Sequence, residues 1–231
     1  EADKMKTRFL SFASHQMRSP LSGILSYLSM LHDGDFGKVS AKQKEVLQMN
    51  IDAMGRLRET IETFLDVSKI EMGGLELDAV ETNLDLLAGD VVREKKMTAE
   101  KKGLKIEFKT SRKVPPVMVD LGKLYHALAN LVDNAIKYTD KGKIVVEVRP
   151  NNTYVNIIVT DTGQGMDKGH LRKVRLVIQH GLEEIRFDKE GGSGLGIHIA
   201  RKIIEGHGGK LSVASAGPGR GSTFTVHIPK A

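Results

Sequence analysis

Residues 12–21 read Phe-Ala-Ser-His-Gln-Met-Arg-Ser-Pro-Leu, and they belong to the pattern from which we predict the N-terminal part of the fold. Apolar residues recur here at alternating steps of four and three, which is typical of a helix packed in a bundle. These positions are Leu10, Met17, Leu21, Ile24, Leu28 and Leu31, with Ser14 filling one gap. His15 lies outside this stripe, so its imidazole faces water or another domain. It is a potential nucleophile, and a solvated surface histidine is an equally good interpretation from this stretch alone.

Two long helices are predicted before residue 75. The first runs from about residue 4 to residue 31 and stops at the breaker-rich segment 32–37. The second begins after Ser40, ends near Gly73-Gly74, and has its own apolar stripe at Leu47, Met54, Leu57, Ile61 and Phe64. An all-α hairpin with two unburied stripes cannot form a core alone. We therefore expect a homodimer in which two copies build a four-helix bundle.

After Gly73-Gly74 the pattern changes to alternating strands and helices, which predicts a mixed α/β domain. The predicted strands are 81–83, 105–109, 117–119, 143–149, 154–161, 210–214 and 222–228, and the predicted helices are 84–102, 121–138 and 195–207. The turn Pro150-Asn-Asn-Thr153 joins neighbouring strands, so part of the sheet is antiparallel. We expect two domains, residues 1–74 and residues 75–231.

The composition argues against several classes of protein. The 231 residues are 40% hydrophobic and 28% charged, as in a soluble chain of two modest domains. No stretch contains about 18 consecutive apolar residues, so we expect no direct membrane contact and a cytoplasmic location. The absence of cysteine suits a reducing compartment. The net charge is +6, but aromatic content is only 5% and basic residues alternate with acidic ones, so we expect no nucleic-acid partner.

The predicted helix 121–138 carries polar residues beside its apolar stripe, which is formed by Leu121, Leu124, Leu128, Leu131 and Ala135. Asn130, Asn134 and Lys137 align at positions i, i+4 and i+7. Each asparagine costs roughly half a kcal/mol relative to alanine inside a helix, so the pair suggests ligand contacts. An amide oxygen suits Mg²⁺ bound together with phosphates. For Asn130, a hydrogen-bonded structural amide is the open alternative.

Two glycine-containing segments allow a close approach of the backbone to a ligand. Thr160-Asp-Thr-Gly-Gln-Gly165 places a carboxylate and two glycines at the end of a predicted strand. Gly191-Gly-Ser-Gly-Leu-Gly196 leads into a helix, whose N-terminal N–H groups can hold phosphates. This second segment is neither a dinucleotide-binding fingerprint nor a P-loop, since Ile197 replaces the required glycine and no Gly-Lys pair precedes Ser or Thr. Taken singly, each segment is equally well an ordinary turn or hinge.

Together, the histidine-containing hairpin, the asparagine helix, the Asp-Gly turn and the glycine-rich helix start resemble the sensor histidine kinases of two-component systems. The resemblance covers residues 4–230. It implies a dimerization and histidine phosphotransfer domain, followed by a catalytic ATP-binding α/β sandwich of the type shared with Hsp90, gyrase and MutL. The implied activity is ATP-dependent autophosphorylation on histidine. The phosphoryl group would then pass to an aspartate in the receiver domain of a response regulator.

The resemblance assigns the phosphoacceptor box to Ser14-His-Gln-Met-Arg-Ser-Pro20, with His15 phosphorylated and Gln16 and Ser19 as its catalytic neighbours. Gln16 stands where the family more often has Glu or Asp. An amide cannot accept a proton, so slower autophosphorylation is expected if the neighbour acts as a base. Ser19 stands where relatives with phosphatase activity have Thr or Asn, and the resemblance gives no support for that activity here.

The resemblance also implies a set of nucleotide-binding residues: Asn130, Asn134, Lys137, Tyr138, Asp161, Gly163, Gly165, Gly192, Gly194, Leu195 and Gly196. Asn134 would bind Mg²⁺, Lys137 a phosphate, Tyr138 the adenine ring and Asp161 its amino group. The glycines of segment 191–196 would hold the triphosphate beneath a mobile lid. This lid, residues 166–190, lacks the family's phenylalanine-rich segment, so no lid contact is predicted.

The sequence leaves two alternative functions open. One is an ATPase or protein-serine kinase built on the same nucleotide fold, which would not need the His15 helix. The other is a nucleotide-binding dimeric scaffold with weak or no kinase activity, which Gln16 and the unusual lid favour.

Overall fold

The structure is a computed structural model that describes residues 19–71, 77–111, 113–181 and 195–230. The chain divides into two compact units, Glu1–Gly74 and Leu75–Ala231. Among the described residues, no helix combines the length and the apolar character needed to cross a membrane.

The first unit contains two helices, α1 (residues 19–33) and α2 (Ala41–Glu71). Gly34 and Gly37, with positive φ angles of 91° and 129°, form the turn after α1. A capping box starts α2, because the Gln43 backbone N–H donates to Ser40 Oγ while the Ser40 backbone N–H donates to Gln43 Oε1, at 3.3 and 2.9 Å. The predicted hairpin is confirmed for these residues, although α1 ends two residues later than predicted. The predicted start of α1 and His15 lie outside the described residues.

The described part of this unit leaves many of its apolar side chains exposed. Leu21 is its one buried hydrophobic residue among those described. The exposed set is Ile24, Tyr27, Leu31, Phe36, Val46, Met49 and Leu57. A helix pair that buries so little apolar surface gains little stability from its own contacts.

The second unit is an α/β sandwich. Its described strands are β1 (Val80–Thr82), β2 (Lys105–Thr110), β3 (Val117–Val119), β4 (Lys143–Pro150), β5 (Tyr154–Asp161), β6 (Lys210–Ala214) and β7 (Thr223–Pro229). Its described helices are α3 (Leu84–Lys101), α4 (Leu121–Lys137), α5 (Lys168–His180) and α6 (Leu195–Gly206). Strands β2-β4-β5-β7-β6 form one sheet in that order, and β1 pairs with β3 in a second. The β2–β4 pair is parallel and the others are antiparallel.

The core lies between the five-stranded sheet and helices α3, α4 and α6. Strands β4, β5 and β7 bury every second residue, as the alternating sequence predicts. The opposing helices bury Leu87, Val91, Leu124, Leu128, Leu131 and Ile204. The predicted fold class, a helical hairpin followed by an α/β sandwich, is confirmed.

Two features of this unit differ from the sequence-based expectations. Leu121, predicted in the buried stripe of α4, is 52% exposed because it is the first residue of the helix, where the neighbouring elements cover it only in part. Helix α5 was not predicted within the segment assigned to the lid. Asp167 caps α5 by accepting a hydrogen bond from the His170 N–H at 2.7 Å, and Val174 and Val177 are buried.

Candidate functional site

Helix α4, which carries most of the predicted ligand contacts, is fixed at both ends. At its N-terminus, Asp120 accepts hydrogen bonds from the N–H groups of Lys123 and Asp78, at 2.9 and 3.1 Å. Burial opposes ionisation of Asp120, but bonds from the side chain and N–H of Lys123 and from Asp78 lower its pKa to about 2. At the C-terminus, Lys102 Nζ donates to the carbonyls of Ile136 and Lys137, each at 2.8 Å.

The amides of Asn130 and Asn134 are available to a ligand. Both residues are half-buried, and within the described part of the chain neither side chain has a hydrogen-bond partner. Among the described residues, the Asn130 amide thus lacks the hydrogen bond that a purely structural role would require. Because both amides are partly exposed, each can exchange hydrogen bonds with a polar ligand placed beside it.

The N-terminus of α6 lies against these two asparagines. A Cβ atom added to Gly196 would be 3.9 Å from Asn130 Cβ and Cγ and 3.9 Å from Asn134 Nδ2. The first turn of α6 contains no acidic residue, so no carboxylate there neutralises the positive end of its dipole. Leu195 begins this helix, while Gly192 and Gly194 lie outside the described residues. The predicted asparagine helix and the predicted phosphate-holding helix start are thus brought together.

The end of α4 adds positive charge and an aromatic ring. Lys137 is exposed, and its Nζ lies 5.1 Å from the centre of the Tyr138 ring, within the range of a cation–π contact. Tyr138 follows the last residue of α4, and its N–H donates to the Asn134 carbonyl at 3.0 Å. Tyr138 therefore stands one helical turn beyond the asparagine that faces α6.

Asp161 ends β5 and is only 7% exposed. Its Oδ1 accepts hydrogen bonds from the N–H groups of Gly163 and Ser222, at 2.8 and 3.1 Å. Burial raises the pKa of this carboxyl, and the two N–H groups oppose that effect. No hydrogen bond from a described residue uses Oδ2. The second oxygen thus remains an acceptor for an N–H donor on a ligand.

The turn after Asp161 requires glycine at two positions. A Cβ at Gly163 would stand 2.7 Å from Thr139 Oγ1 and 2.9 Å from Asp161 Oδ1, and still closer to the Tyr138 carbonyl. Gly165 has a φ of 63°, and a Cβ there would collide with the Gly217 carbonyl. This close packing brings Asp161, Gly163 and the Tyr138 backbone into one corner of the domain.

Sequence reasoning missed the loop that supports this corner. Ser215 Oγ accepts a hydrogen bond from the Met166 N–H at 3.0 Å and donates one to the Gly221 carbonyl at 2.7 Å. Ser222, through its N–H, holds Asp161. The repeated glycines in Gly217-Pro-Gly-Arg-Gly-Ser222 were an available signal for a second tight turn beside the first.

The structure therefore brings the described members of the predicted nucleotide-binding set together beside the C-terminal half of α4. The two asparagines lie near the start of α6, and Asp161 lies near Tyr138, just beyond the end of α4. Ser19 is exposed in α1, in the other unit. His15 and Gln16 lie outside the described residues. No cluster of three or more His, Asp or Glu side chains suited to a metal ion occurs among the residues that the structure describes.

Two family models match this chain. Residues 119–231 match the histidine kinase-, DNA gyrase B-, and HSP90-like ATPase family, and residues 5–73 match the His Kinase A (phospho-acceptor) domain. The phospho-acceptor match ends at residue 73, next to the division between the two compact units, and the ATPase match lies wholly within the second unit.

Similar curated proteins include two bacterial sensors. The virulence sensor protein BvgS of Bordetella bronchiseptica is 32% identical over 234 residues, which cover 98% of this chain and 18% of that protein. The sensor histidine kinase GacS of Pseudomonas protegens is 33% identical over 238 residues, which cover 100% of this chain and 25% of that protein. The chain thus spans a quarter or less of these two relatives.

Two solved structures are also similar to this chain. Full-length ShkA in complex with AMPPNP is similar in fold, with a TM-score of 0.78, 24% identity and coverage of 98% of this chain and 46% of that one. The catalytic domain of the histidine kinase ThkA is 30% identical with a TM-score of 0.56, covering 66% of this chain and 96% of that one. The chain matches a phospho-acceptor domain followed by an ATPase-type domain, and relatives that match nearly all of it include bacterial sensor kinases. It therefore belongs to the family of two-component sensor histidine kinases.

Proposed function

We propose that this chain transfers the γ-phosphoryl group of ATP to its own His15 and then to an aspartate in the receiver domain of a response regulator. In this proposal residues 1–74 form the dimerization and phosphotransfer domain, and residues 75–231 form the catalytic ATP-binding domain. The observation that carries it is a pair of amides, Asn130 and Asn134, that face the N-terminus of α6 and have no hydrogen-bond partner among the described residues. That arrangement suits a polyphosphate better than it suits a packed core.

The ends of the site suit different parts of ATP. Asp161 Oδ2 would accept a hydrogen bond from the adenine amino group, and the Tyr138 ring would contact the base. Lys137 would contact a phosphate. The phosphate-holding set would comprise Asn130, Gly192, Gly194, Leu195 and Gly196 at the start of α6, while Gly163 and Gly165 would line the wall near the base.

The described residues also fit a magnesium ion bound with the nucleotide. Within residues 19–71, 77–111, 113–181 and 195–230, the Asn134 amide oxygen has no other partner, and no carboxylate or histidine cluster there would hold a metal by itself. Mg²⁺ takes few protein ligands and completes its shell with phosphate oxygens and water. When bound, the ion would neutralise charge on the phosphates. In this proposal Asn134 is its protein ligand.

The acceptor chemistry assigned to His15 is simple. A neutral imidazole nitrogen attacks the γ-phosphorus, an N–P bond forms as the bond to the β,γ-bridging oxygen breaks, and ADP leaves. The imidazole loses its N–H proton. Positioning and charge neutralisation supply most of the rate in such transfers. Gln16 cannot take that proton, so it would only orient the ring, and we expect slow autophosphorylation.

The exposed apolar side chains of α1 and α2 support the proposed homodimer. They would be covered by the same surface of a second copy in a four-helix bundle. The second proposed partner is the response regulator receiver domain, which accepts the phosphoryl group from His15. We propose no nucleic-acid partner and no direct membrane contact for this region, and we place it in the cytoplasm, where ATP is available.

Labelling with γ-labelled ATP and Mg²⁺ tests the proposal. The wild-type chain should acquire an acid-labile, alkali-stable label, which His15→Gln and Asn134→Ala should abolish. His32→Gln is the matched control, because His32 lies in the same hairpin, where its Nδ1 lies 3.1 Å from Oδ1 of its neighbour Asp33. An acid-stable label would indicate a serine or threonine kinase. Nucleotide binding without any label would indicate the dimeric scaffold instead.

A further inference from the structure

Thr139, directly after Tyr138, has a buried hydroxyl that packing does not explain. The residue has no exposed surface. Its Oγ1 has no hydrogen-bond partner in the described structure. A buried hydroxyl without a partner is costly, and native proteins retain few of them. Valine would have the same shape without this cost, so the hydroxyl calls for a role.

The hydroxyl faces the carboxylate of Asp161 across a gap that Gly163 leaves open. A Cβ atom at Gly163 would stand 2.7 Å from Thr139 Oγ1 and 2.9 Å from Asp161 Oδ1. The two oxygens therefore border the same small space. One belongs to a hydroxyl that can donate a hydrogen bond, and the other belongs to a carboxylate that accepts hydrogen bonds.

Asp161 has a physical need for such a donor. It is buried at the end of β5, and its two hydrogen bonds come from backbone N–H groups that both reach Oδ1. A hydrogen bond to an ionised group is stronger than one between neutral groups, and it also restricts rotation of the carboxylate. Fixing the carboxylate plane would fix the direction of Oδ2, which has no partner among the described residues.

We propose that Thr139 is a nucleotide-positioning residue whose hydroxyl, in the ATP-bound site, donates to the Asp161 carboxylate across the Gly163 gap and holds Oδ2 toward the base. This inference rests on the proposed ATP site. Thr139 itself touches neither base nor phosphate; it acts through Asp161. The hydroxyl gains its partner only when nucleotide is bound, so its contribution appears in affinity and not in the stability of the free domain.

Calorimetric titration of the full chain with ATP, for the wild type, Thr139→Val and Thr139→Ser, tests this inference. Thr139→Val should bind ATP about tenfold more weakly, the effect of losing one hydrogen bond to a charged group. Thr139→Ser should bind within about twofold of wild type. Thr110→Val is the control, because Thr110 is exposed in β2. Without nucleotide, Thr139→Val should unfold at or above the wild-type temperature.

The pH profile of ATP affinity separates this role from simple packing. Burial raises the pKa of Asp161. Because the proposed donor acts only in the ATP-bound site, its loss raises the pKa of Asp161 in the bound state alone, so the ATP affinity of Thr139→Val should fall less on acidification than that of the wild type. Thr139→Ser should follow the wild-type profile. Thr139→Ala, which also lacks the hydroxyl and is smaller, provides a second hydroxyl-free variant for the same comparison with Thr139→Ser.

Three results would overturn the inference. The first is that Thr139→Val binds ATP with wild-type affinity and with an unchanged pH profile. The second is that Thr139→Ser loses as much ATP affinity as Thr139→Val. The third is that nucleotide-free Thr139→Val is clearly less stable than the wild type. The last would mean that the hydroxyl already has a partner in the free domain. Failure of the wild-type chain to bind ATP would instead overturn the proposed function, and this inference with it.

Discussion

Replacing Gly163 with alanine is the most direct perturbation of the corner that presents Asp161. The added methyl would lie 2.7 and 2.9 Å from Thr139 Oγ1 and Asp161 Oδ1, closer than real Cβ contacts allow, and the nearby Tyr138 carbonyl is backbone. Over-packing of this kind costs about 1–3 kcal/mol. For a domain of this size each kcal/mol lowers the unfolding temperature by about 2–4 °C. Because Asp161 must also move, we expect ATP affinity to fall by at least about tenfold.

Gly89→Ala provides the matched control. Gly89 lies inside α3, and a Cβ there would be 3.6 to 3.9 Å from atoms of the Phe108 ring, which is ordinary contact. Alanine is better than glycine in a helix by about 1 kcal/mol, so this variant should unfold about 2–4 °C higher and bind ATP normally. Both replacements change the unfolded chain in the same way, so their difference reports on the folded state.

The assay is thermal unfolding without nucleotide, followed by calorimetric titration with ATP. The reasoning would be refuted if Gly163→Ala unfolded at or above the wild-type temperature and retained wild-type ATP affinity. That result would mean that the Tyr138 backbone and the Asp161 side chain can yield without cost. The tight turn would then not be what positions the carboxylate.

Three further predictions concern the supports of the site. Asp120→Ala should lower the free energy of unfolding by about 2 kcal/mol, whereas Asp120→Asn keeps the helix cap and loses less; denaturant titration measures both. Since the pKa of Asp120 is lowered from 3.8 to about 2, its stabilising effect is complete above pH 3.8 and is lost as the pH falls through 2, and Asp120→Asn should remove this dependence. Lys102→Met should cost about 1 kcal/mol in the same assay, because the last carbonyls of α4 lose their donor. Burial, helped by Arg201 and Lys202, lowers the pKa of His198 below 6.5, so its contribution is complete above pH 6.5 and is lost on acidification; His198→Phe should weaken that dependence in a pH series of unfolding curves.

Most of the sandwich was predictable because local patterns and the tertiary structure agree. Alternating residues in β4 and β5 match the buried face, and the predicted strand ends fall within two residues of the observed ones. Helix α5 was missed because its basic residues resemble a solvated lid, although Asp167 and the spacing of Leu171, Val174 and Ile178 were available signals. Leu121 shows the limit of periodicity, since a residue in the first turn of a helix can continue the stripe and still face water.

The motifs of the candidate site were also readable, and the family predicted from them was confirmed. The sequence did not predict which residues of these motifs lie close together. That Asn134 meets Gly196 depends on how α6 packs on α4, and that Ser222 holds Asp161 depends on the β5–β7 register, which no local pattern specifies. Thr139 was passed over because a threonine beside a helix end has no distinctive signature. The assigned roles of the site residues remain predictions.

The position of β5 in the sheet has a consequence for how the domain would behave under hydrogen exchange. This strand pairs with β4 on one side and β7 on the other, so neither of its edges is free. Amides of such a strand exchange only when the whole domain opens, whereas strands β2 and β6 at the sheet edges can fray separately. We therefore expect Asp161 to be attached to one of the slowest-exchanging segments of the domain. The carboxylate and the folded core should be lost in a single cooperative event, so a domain that is folded at all would present this group to its ligand.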